Sequence, residues 1–210
     1  MKNFKFKLRG KTLVVIDWAN VYGWSRRLGW DIDIKKLFKY LKSHKEIYDI
    51  RFYFGKEPGN PKSESFHRKI KKIGYTLISK EVKWIPVKID TNYFKKSIKN
   101  TLLQHGFKQD FFKIFFNQLK KDRNLRRRKC DFDCEIAIDV MKRLNEFDCL
   151  ILFSGDGDYA ALIQEVIECG KQAIVVAFKN ALGKEYGKIK KGLYICSIRK
   201  LKGIIKRNAR

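Results

Sequence analysis

Acidic residues stand at the ends of apolar segments, where an isolated carboxylate would be costly. In the stretch Ser-Gly-Asp-Gly-Asp, Asp156 and Asp158 follow the apolar run 149–153, and Asp17 follows the apolar run 13–16. If both runs are parallel strands, their carboxyl ends lie at one edge of the sheet, and the acids converge there. The two glycines of this stretch are expected to let the backbone turn tightly.

Converging carboxylates need a counter-charge. Two like charges about 4 Å apart repel by about 4 kcal/mol at an effective dielectric of about 20. Hard divalent cations such as Mg²⁺ and Mn²⁺ prefer carboxylate oxygens and leave part of their shell for water and phosphate oxygens. These acids therefore predict a divalent-metal site.

A predicted helix near residues 133–146 supplies further acids. Asp133 begins this helix, and Asp139 lies near the apolar stripe that contains Ile136 and Val140. Residues 130–158 carry eight acids and two bases, whereas the whole chain has a net charge of +26. This local inversion of charge favours a shared acidic site that includes the helix.

Each acid also has a purely structural interpretation. Asp158 could cap a helix that starts at Tyr159, and Asp133 could cap the helix that it begins. Asp139 could be a polar residue at the boundary of the core, and Asp17 could belong to an ordinary turn after a strand. A shared site explains all of these residues at once, and it is the interpretation that we favour.

The elements around these acids alternate between strands and helices. Apolar runs predict strands at 12–16, 50–54, 75–79, 149–154, 172–178 and 193–198, and helical spacing separates most of them. Such alternation, with runs apolar on both faces, is typical of a parallel sheet covered on both sides. We expect an α/β fold with three α/β/α layers around a mainly parallel central sheet.

The charge of the chain points to a polyanionic partner. Lys and Arg total 48 against 22 Asp and Glu, and the pI is near 9.9. Nucleic acid is the first candidate partner and an anionic membrane surface the second, while a lysine-rich proteome would explain the charge without any partner. No apolar run approaches the ~20 residues of a membrane span, and no secretory signal is apparent.

The five cysteines are odd in number, and at least two of them stand in apolar runs. They are typical of reduced, buried thiols in a cytoplasmic protein. The pair Cys130 and Cys134 has no second Cys or His pair at the usual spacing, which argues against a zinc site.

A basic segment interrupts the alternation at about residues 86–129. We interpret it as a helical insertion in a single domain of residues 1–210, which ends in a basic C-terminal extension at about 179–210. The predicted nucleic-acid contacts are Lys120, Lys121, Arg126, Arg127, Arg128 and Lys129. Phe107, Phe111, Phe115 and Leu119 recur every four residues, which favours a core-facing helix stripe over a base-stacking surface.

Three motifs resemble those of the NYN domain family, in its LabA-like branch, relatives of PIN-domain nucleases. They are VVIDWANVYGW at the first strand, DFDCEIAIDVMK on the helix and LFSGDGDYAALI after the later strand, and the likeness spans about residues 12–180. The resemblance implies a PIN-like fold and hydrolysis of RNA that depends on Mg²⁺ or Mn²⁺.

Carried over by position, the resemblance makes Asp17, Asp139, Asp156 and Asp158 metal ligands, directly or through water. Asn20 would hydrogen-bond Asp17 or a metal-bound water, Ser154 would support the turn, and Asp133 is a weaker match.

We therefore expect a metal-dependent ribonuclease, most simply an endoribonuclease, with RNA as partner. DNA as a substrate and a homodimer are left open. The alternative is a nucleic-acid-binding module whose acidic site is structural. A phosphatase with an Asp nucleophile is disfavoured, because such sites have Asp-x-Asp after the first strand and this chain has Asp17-Trp18-Ala19.

Overall fold

The computed structural model describes residues 4–86, 103–106, 110–111, 113–114, 117–118 and 126–208. The chain divides into two compact units. The larger unit comprises residues 1–81 and 130–210, and the smaller comprises residues 82–129.

A six-stranded sheet of neighbours that all run parallel is the centre of the larger unit. The order of its strands is β3-β2-β1-β6-β7-β8. The strands of the described chain are β1 (Thr12–Asp17), β2 (Ile47–Tyr53), β3 (Thr76–Ile78), β4 (Lys83–Pro86), β5 (Arg126–Lys129), β6 (Cys149–Phe153), β7 (Gln172–Ala177) and β8 (Leu193–Ser197). The predicted α/β fold with a mainly parallel sheet is confirmed.

Helices connect these strands. They are α1 (Trp18–Gly23), α2 (Ser25–Leu28), α3 (Ile34–Lys42), α4 (Pro61–Ile73), α5 (Asp133–Lys142), α6 (Ala160–Glu168) and α7 (Lys202–Ile205). Every residue of β1, β6 and β7 is buried, so both faces of the central strands are covered. This burial explains why these strands are continuous apolar runs rather than alternating ones.

The residues after Phe178 are part of the larger unit, although their composition predicts only a basic extension. They contribute the edge strand β8 and, beyond it, the buried side chains of Ile198, Leu201 and Ile205. Tyr186, between β7 and β8, is also buried. The lysines of this region therefore alternate with core residues.

The smaller unit contains a two-stranded antiparallel ribbon of β4 and β5. The sequence predicts no strand here. Residues 103–104, 110–111, 113–114 and 117–118 are helical, in line with a helical segment between the two strands. Most of the predicted aromatic stripe (Phe107, Phe115 and Leu119) lies outside the described residues, as do Lys120 and Lys121, while Phe111 is 45% exposed.

All five cysteines are free, and Cys149 and Cys196 are buried. Within the described part of the chain, we find no helix with the length and apolar character needed to span a membrane.

Candidate metal-binding acidic site

The acidic residues lie where the connections of the sheet diverge. β1 and β6 are neighbours in parallel register, with Ile16 opposite Phe153. The chain leaves β1 toward β2 on one side and leaves β6 toward β7 on the other. In open parallel sheets, ligands bind in the crevice outside the carboxyl ends of the strands at this kind of switch point. Asp17, the last residue of β1, and Ser154, the first residue after β6, therefore occupy the expected place for a site.

Asp17 is a buried carboxylate, 7% exposed. One of its oxygens, Oδ1, accepts the backbone N–H of Asn20 at 3.3 Å and so caps α1, and the other, Oδ2, accepts the Ser154 hydroxyl at 3.2 Å. Burial is the main cause that raises the pKa of Asp17 to about 6, against the lowering effect of these two hydrogen bonds. The charges of Asp133 and Asp156 raise the pKa further. At neutral pH the carboxylate of Asp17 is therefore ionised, but its burial and the nearby negative charges destabilise this ionised form.

Hydrogen bonds tie the loop after β6 to the end of β1. The Asn20 side-chain oxygen accepts the backbone N–H of Gly155 and the indole N–H of Trp24, both at 3.0 Å. Ser154 Oγ accepts the backbone N–H of Asp156 at 3.2 Å. Asn20 and Ser154 therefore hold the two strand ends together.

The caps of this loop differ from those that the sequence predicts. The carboxylate of Asp156 accepts the backbone N–H of Asp158 at 3.1 Å and caps the short turn Gly157–Tyr159. Asp158 is exposed and does not cap α6, and Asp133 is the first residue of α5 rather than its cap. The structural explanations of Asp158 and Asp133 as caps are therefore wrong.

Close packing explains the two glycines of this loop. Neither Gly155 nor Gly157 has a positive φ, so a tight left-handed turn is not the reason. A Cβ on Gly155 would overlap the carbonyl oxygen of Ala181, and one on Gly157 would overlap the side chain of Glu185. The Tyr186 hydroxyl also donates to the Asp156 carbonyl at 2.8 Å. The segment 181–186 thus packs directly on the acidic loop.

Asp133 is the acid of α5 that joins this cluster. Burial is the main cause that raises its pKa, and the charges of Asp156, Asp131 and Asp158 raise it further. Asp133 precedes Ile136 by three residues and Val140 by seven, which is the spacing of the buried face of the helix.

The structure does not bring Asp139 to the other predicted ligands. Its carboxylate pairs with the guanidinium groups of Arg51 and Arg143 and accepts the Tyr53 hydroxyl. Asp139 follows Asp133 by six residues, about 9 Å along the helix axis. The expected fourth ligand is therefore paired with cations of the chain itself, whereas Asp133 is the acid of α5 whose charge contributes to the raised pKa of Asp17.

Tyr159 is a residue of this cluster that the sequence did not single out. It is 1% exposed, and its hydroxyl makes no hydrogen bond of ordinary geometry, although it is close enough to the Asp133 carboxylate for each group to affect the pKa of the other. Burial is the main cause that raises its pKa, and the charges of Asp17 and Asp133 add to it. An aromatic residue directly after Ser-Gly-Asp-Gly-Asp is the signal that could have pointed to it.

The donor set suits a hard cation. Carboxylates with raised pKa values and a buried hydroxyl without a hydrogen bond of ordinary geometry share this region, and none of Asp17, Asp133, Asp156 and Asp158 forms an ion pair with a described residue. Nevertheless, no three His, Cys, Asp or Glu side chains of the described residues are close enough together to enclose an ion directly. Mg²⁺ commonly binds one or two carboxylates and keeps several waters, so the residues present fit such an ion with part of its contacts through water.

Comparisons with known proteins agree with the fold. Low amplitude and bright protein LabA of Synechococcus elongatus is 22% identical over 173 residues, which cover 82% of this chain and 76% of LabA. The crystal structure of a protein of unknown function from Vibrio parahaemolyticus has a TM-score of 0.58 at 16% identity, covering 91% of this chain and 96% of that one, and it shows likeness of fold alone. The NYN domain model matches residues 11–188, and the chain belongs to the NYN domain family.

Proposed function

We propose that this protein is a divalent-metal-dependent ribonuclease whose site is formed by Asp17, Asp133, Asp156 and Asp158. The observation that carries the proposal is that Asp17, buried at the end of β1, and Asp133 both have a raised pKa to which the charge of Asp156 contributes, while neither forms an ion pair with a described residue. Membership of the NYN domain family, whose relatives include nucleases, supports the reaction class. The net charge of +26 supports a polyanionic substrate.

The residues of the site divide into ligands and positioning groups. Asp17 and Asp156 would hold the ion from the two strand ends, with Asp133 and Asp158 facing it from the helix and the loop. Asn20 and Ser154 position these carboxylates through the hydrogen bonds between the two strand ends. A bound Mg²⁺ or Mn²⁺ would lower the pKa of a water molecule and would offset negative charge on the phosphate oxygens.

Cleavage assays test this proposal. We expect the wild type to cleave RNA in the presence of Mn²⁺, with single-stranded RNA, structured RNA and DNA as parallel substrates. Asp156→Asn should reduce the rate by at least about 100-fold, because it removes a ligand that supports the electrostatic stabilisation. The matched control is Glu168→Gln, which neutralises an exposed acid at the end of α6 and should cleave like the wild type. Equal cleavage by Asp156→Asn, or no cleavage of any substrate by the wild type, would contradict the proposal.

Metal binding can be measured without any cleavage. An ion that binds only the folded state adds about 2.7 kcal/mol of stability at 100 times its dissociation constant. We expect Mn²⁺ to raise the melting temperature of the wild type and of Glu168→Gln, and to leave that of Asp17→Asn unchanged. A binding module with a purely structural acidic site would show no stabilisation by Mn²⁺ in any of the three proteins.

A further inference from the structure

The ribbon of β4 and β5 has the composition of a nucleic-acid-binding element. Five of its eight residues are Lys or Arg, and none is acidic. In the register of the ribbon, Trp84 is opposite Arg128 and Lys83 is opposite Lys129. Opposite residues of an antiparallel pair share a face, so an aromatic side chain and a guanidinium group lie side by side on one face.

Trp84 differs from every other tryptophan of the chain. The other three, Trp18, Trp24 and Trp30, are at most 7% exposed, whereas Trp84 is 51% exposed. Exposure of an indole to water costs free energy, because its apolar surface is not buried against other apolar groups. About half of the Trp84 surface is exposed in this way and is therefore open to contact with another planar group.

The charge of the ribbon also favours an anionic partner. Lys83 and Lys129 are both exposed and directly opposite each other, an arrangement that destabilises a strand pair. A two-stranded sheet is only marginally stable to begin with. These two lysines lie on the face of the ribbon away from Trp84, and they add to the positive charge that attracts a polyanion.

From these observations we propose that the β4–β5 ribbon binds a single strand of nucleic acid, with one base stacked on Trp84 and a flanking phosphate on Arg128 of the same face. Stacking needs an unpaired base, because the bases of a duplex already stack on one another. The inference rests on the proposed function in its choice of nucleic acid as partner, and it adds a recognition residue and a preference for unpaired substrate.

Binding is measured in EDTA on the Asp156→Asn background, so that hydrolysis cannot interfere and failure of catalysis does not affect the result. The probe is a single-stranded oligoribonucleotide, and its binding is measured by the quenching of tryptophan fluorescence. This signal reports mainly on Trp84, because the other three tryptophans are buried. We expect Trp84→Leu to weaken binding about tenfold and to abolish most of the quenching. Trp84→Phe, which keeps a stacking ring, should bind within about threefold of the parent.

Three controls separate stacking from charge and from folding. Tyr194→Leu removes an equally exposed aromatic residue, 51% exposed, from the larger unit and should leave binding unchanged. Inorganic polyphosphate has charge but no bases, so Trp84→Leu should bind it as the parent does. Arg128→Ala should instead reduce the slope of log affinity against log salt by about 0.7, the effect of one lost phosphate contact to a single strand.

The inference is overturned if Trp84→Leu binds the single strand as tightly as the parent. It is also overturned if Trp84→Leu loses a duplex of the same sequence, or polyphosphate, to the same extent as the single strand. Those results would show that the ribbon binds through charge alone, or that it binds a different class of partner.

Discussion

Helix α5 carries two acids in opposite electrostatic surroundings. Asp133, in its first turn, has a pKa that burial and the charges of Asp156 and Asp158 raise, and it forms no ion pair with a described residue. Asp139, six residues later, is held by the guanidinium groups of Arg51 and Arg143. The same residue type on the same helix is therefore neutralised by the protein in one position and not in the other.

Scarcity of cations does not explain this difference. The chain has 48 lysines and arginines against 22 acids, more than enough to pair every carboxylate. Nevertheless, no described lysine or arginine forms an ion pair with the acids at the switch point. The contrast indicates that Asp139 contributes to stability, whereas the Asp133 cluster costs stability in the absence of an external cation.

The largest effect should come from Asp139→Asn. Its replacement leaves the Arg51 side chain, which is only 12% exposed, with Asp49 as its one remaining described ion-pair partner, and it also weakens the contact of the Tyr53 hydroxyl. Breaking a largely buried ion pair in this way should lower the free energy of unfolding by about 3 kcal/mol, measured by urea denaturation.

Glu146→Gln is the matched control for this prediction. Glu146 pairs with Arg143 at 2.8 Å, but its side chain is 46% exposed, so its loss should cost less than about 1 kcal/mol. If Asp139→Asn proved as stable as the wild type, the assignment of Asp139 to a stabilising ion pair would be lost.

Asp17→Asn should have the opposite sign in metal-free protein. Since the pKa of Asp17 is raised to about 6, the folded state holds a proton that the unfolded chain releases near pH 4. Stability from this group is therefore present below pH 4, falls as the pH rises toward 6, and stays lost above it. The amide has no charge to desolvate, so Asp17→Asn should be about 2 kcal/mol more stable than the wild type at pH 7.5.

The measurement is urea denaturation in EDTA at several pH values from 4 to 8. The advantage of Asp17→Asn should be small at pH 4 and grow up to about pH 6 to 7. An advantage independent of pH would show that the charge of Asp17 is not what opposes folding.

The smallest effect is expected from two tyrosine hydroxyls, that of Tyr159 in the Asp133 region and that of Tyr53 beside Asp139. Tyr159→Phe removes a buried hydroxyl that makes no hydrogen bond of ordinary geometry, and it should raise the free energy of unfolding by about 1 kcal/mol in EDTA. Tyr53→Phe removes a hydroxyl that Asp139 accepts, and it should lower that free energy by about 1 kcal/mol. Changes of the same sign in both variants would remove the distinction between the two regions.

Much of the fold could be predicted because the central strands have a simple pattern. β1, β6 and β7 are buried along their whole length, so their apolar runs mark them directly in the sequence. β4 and β5 could not be found in this way. Their residues are mostly charged, and only the pairing of distant segments makes them strands.

The choice between Asp133 and Asp139 shows the limit of spacing arguments. Both residues lie within reach of the apolar stripe of α5. The helix, however, runs back from the carboxyl edge of the sheet toward the start of β6, so that its first turn is at the site and its middle is not. Helix periodicity specifies a face, but it does not specify the depth at which that face meets the sheet.

By itself, the sequence determined the α/β class, the sites of Asp17, Asp156 and Asp158 at strand ends, and the basic character of the chain, because local patterns and composition carry this information. Only the tertiary structure decided that Arg51 neutralises Asp139, that the segment 181–186 requires Gly155 and Gly157, and that the Tyr159 hydroxyl is buried without a hydrogen bond of ordinary geometry. These features depend on contacts between residues far apart in the chain. No local pattern encodes such contacts, since their energy exists only once the sheet has brought the segments together.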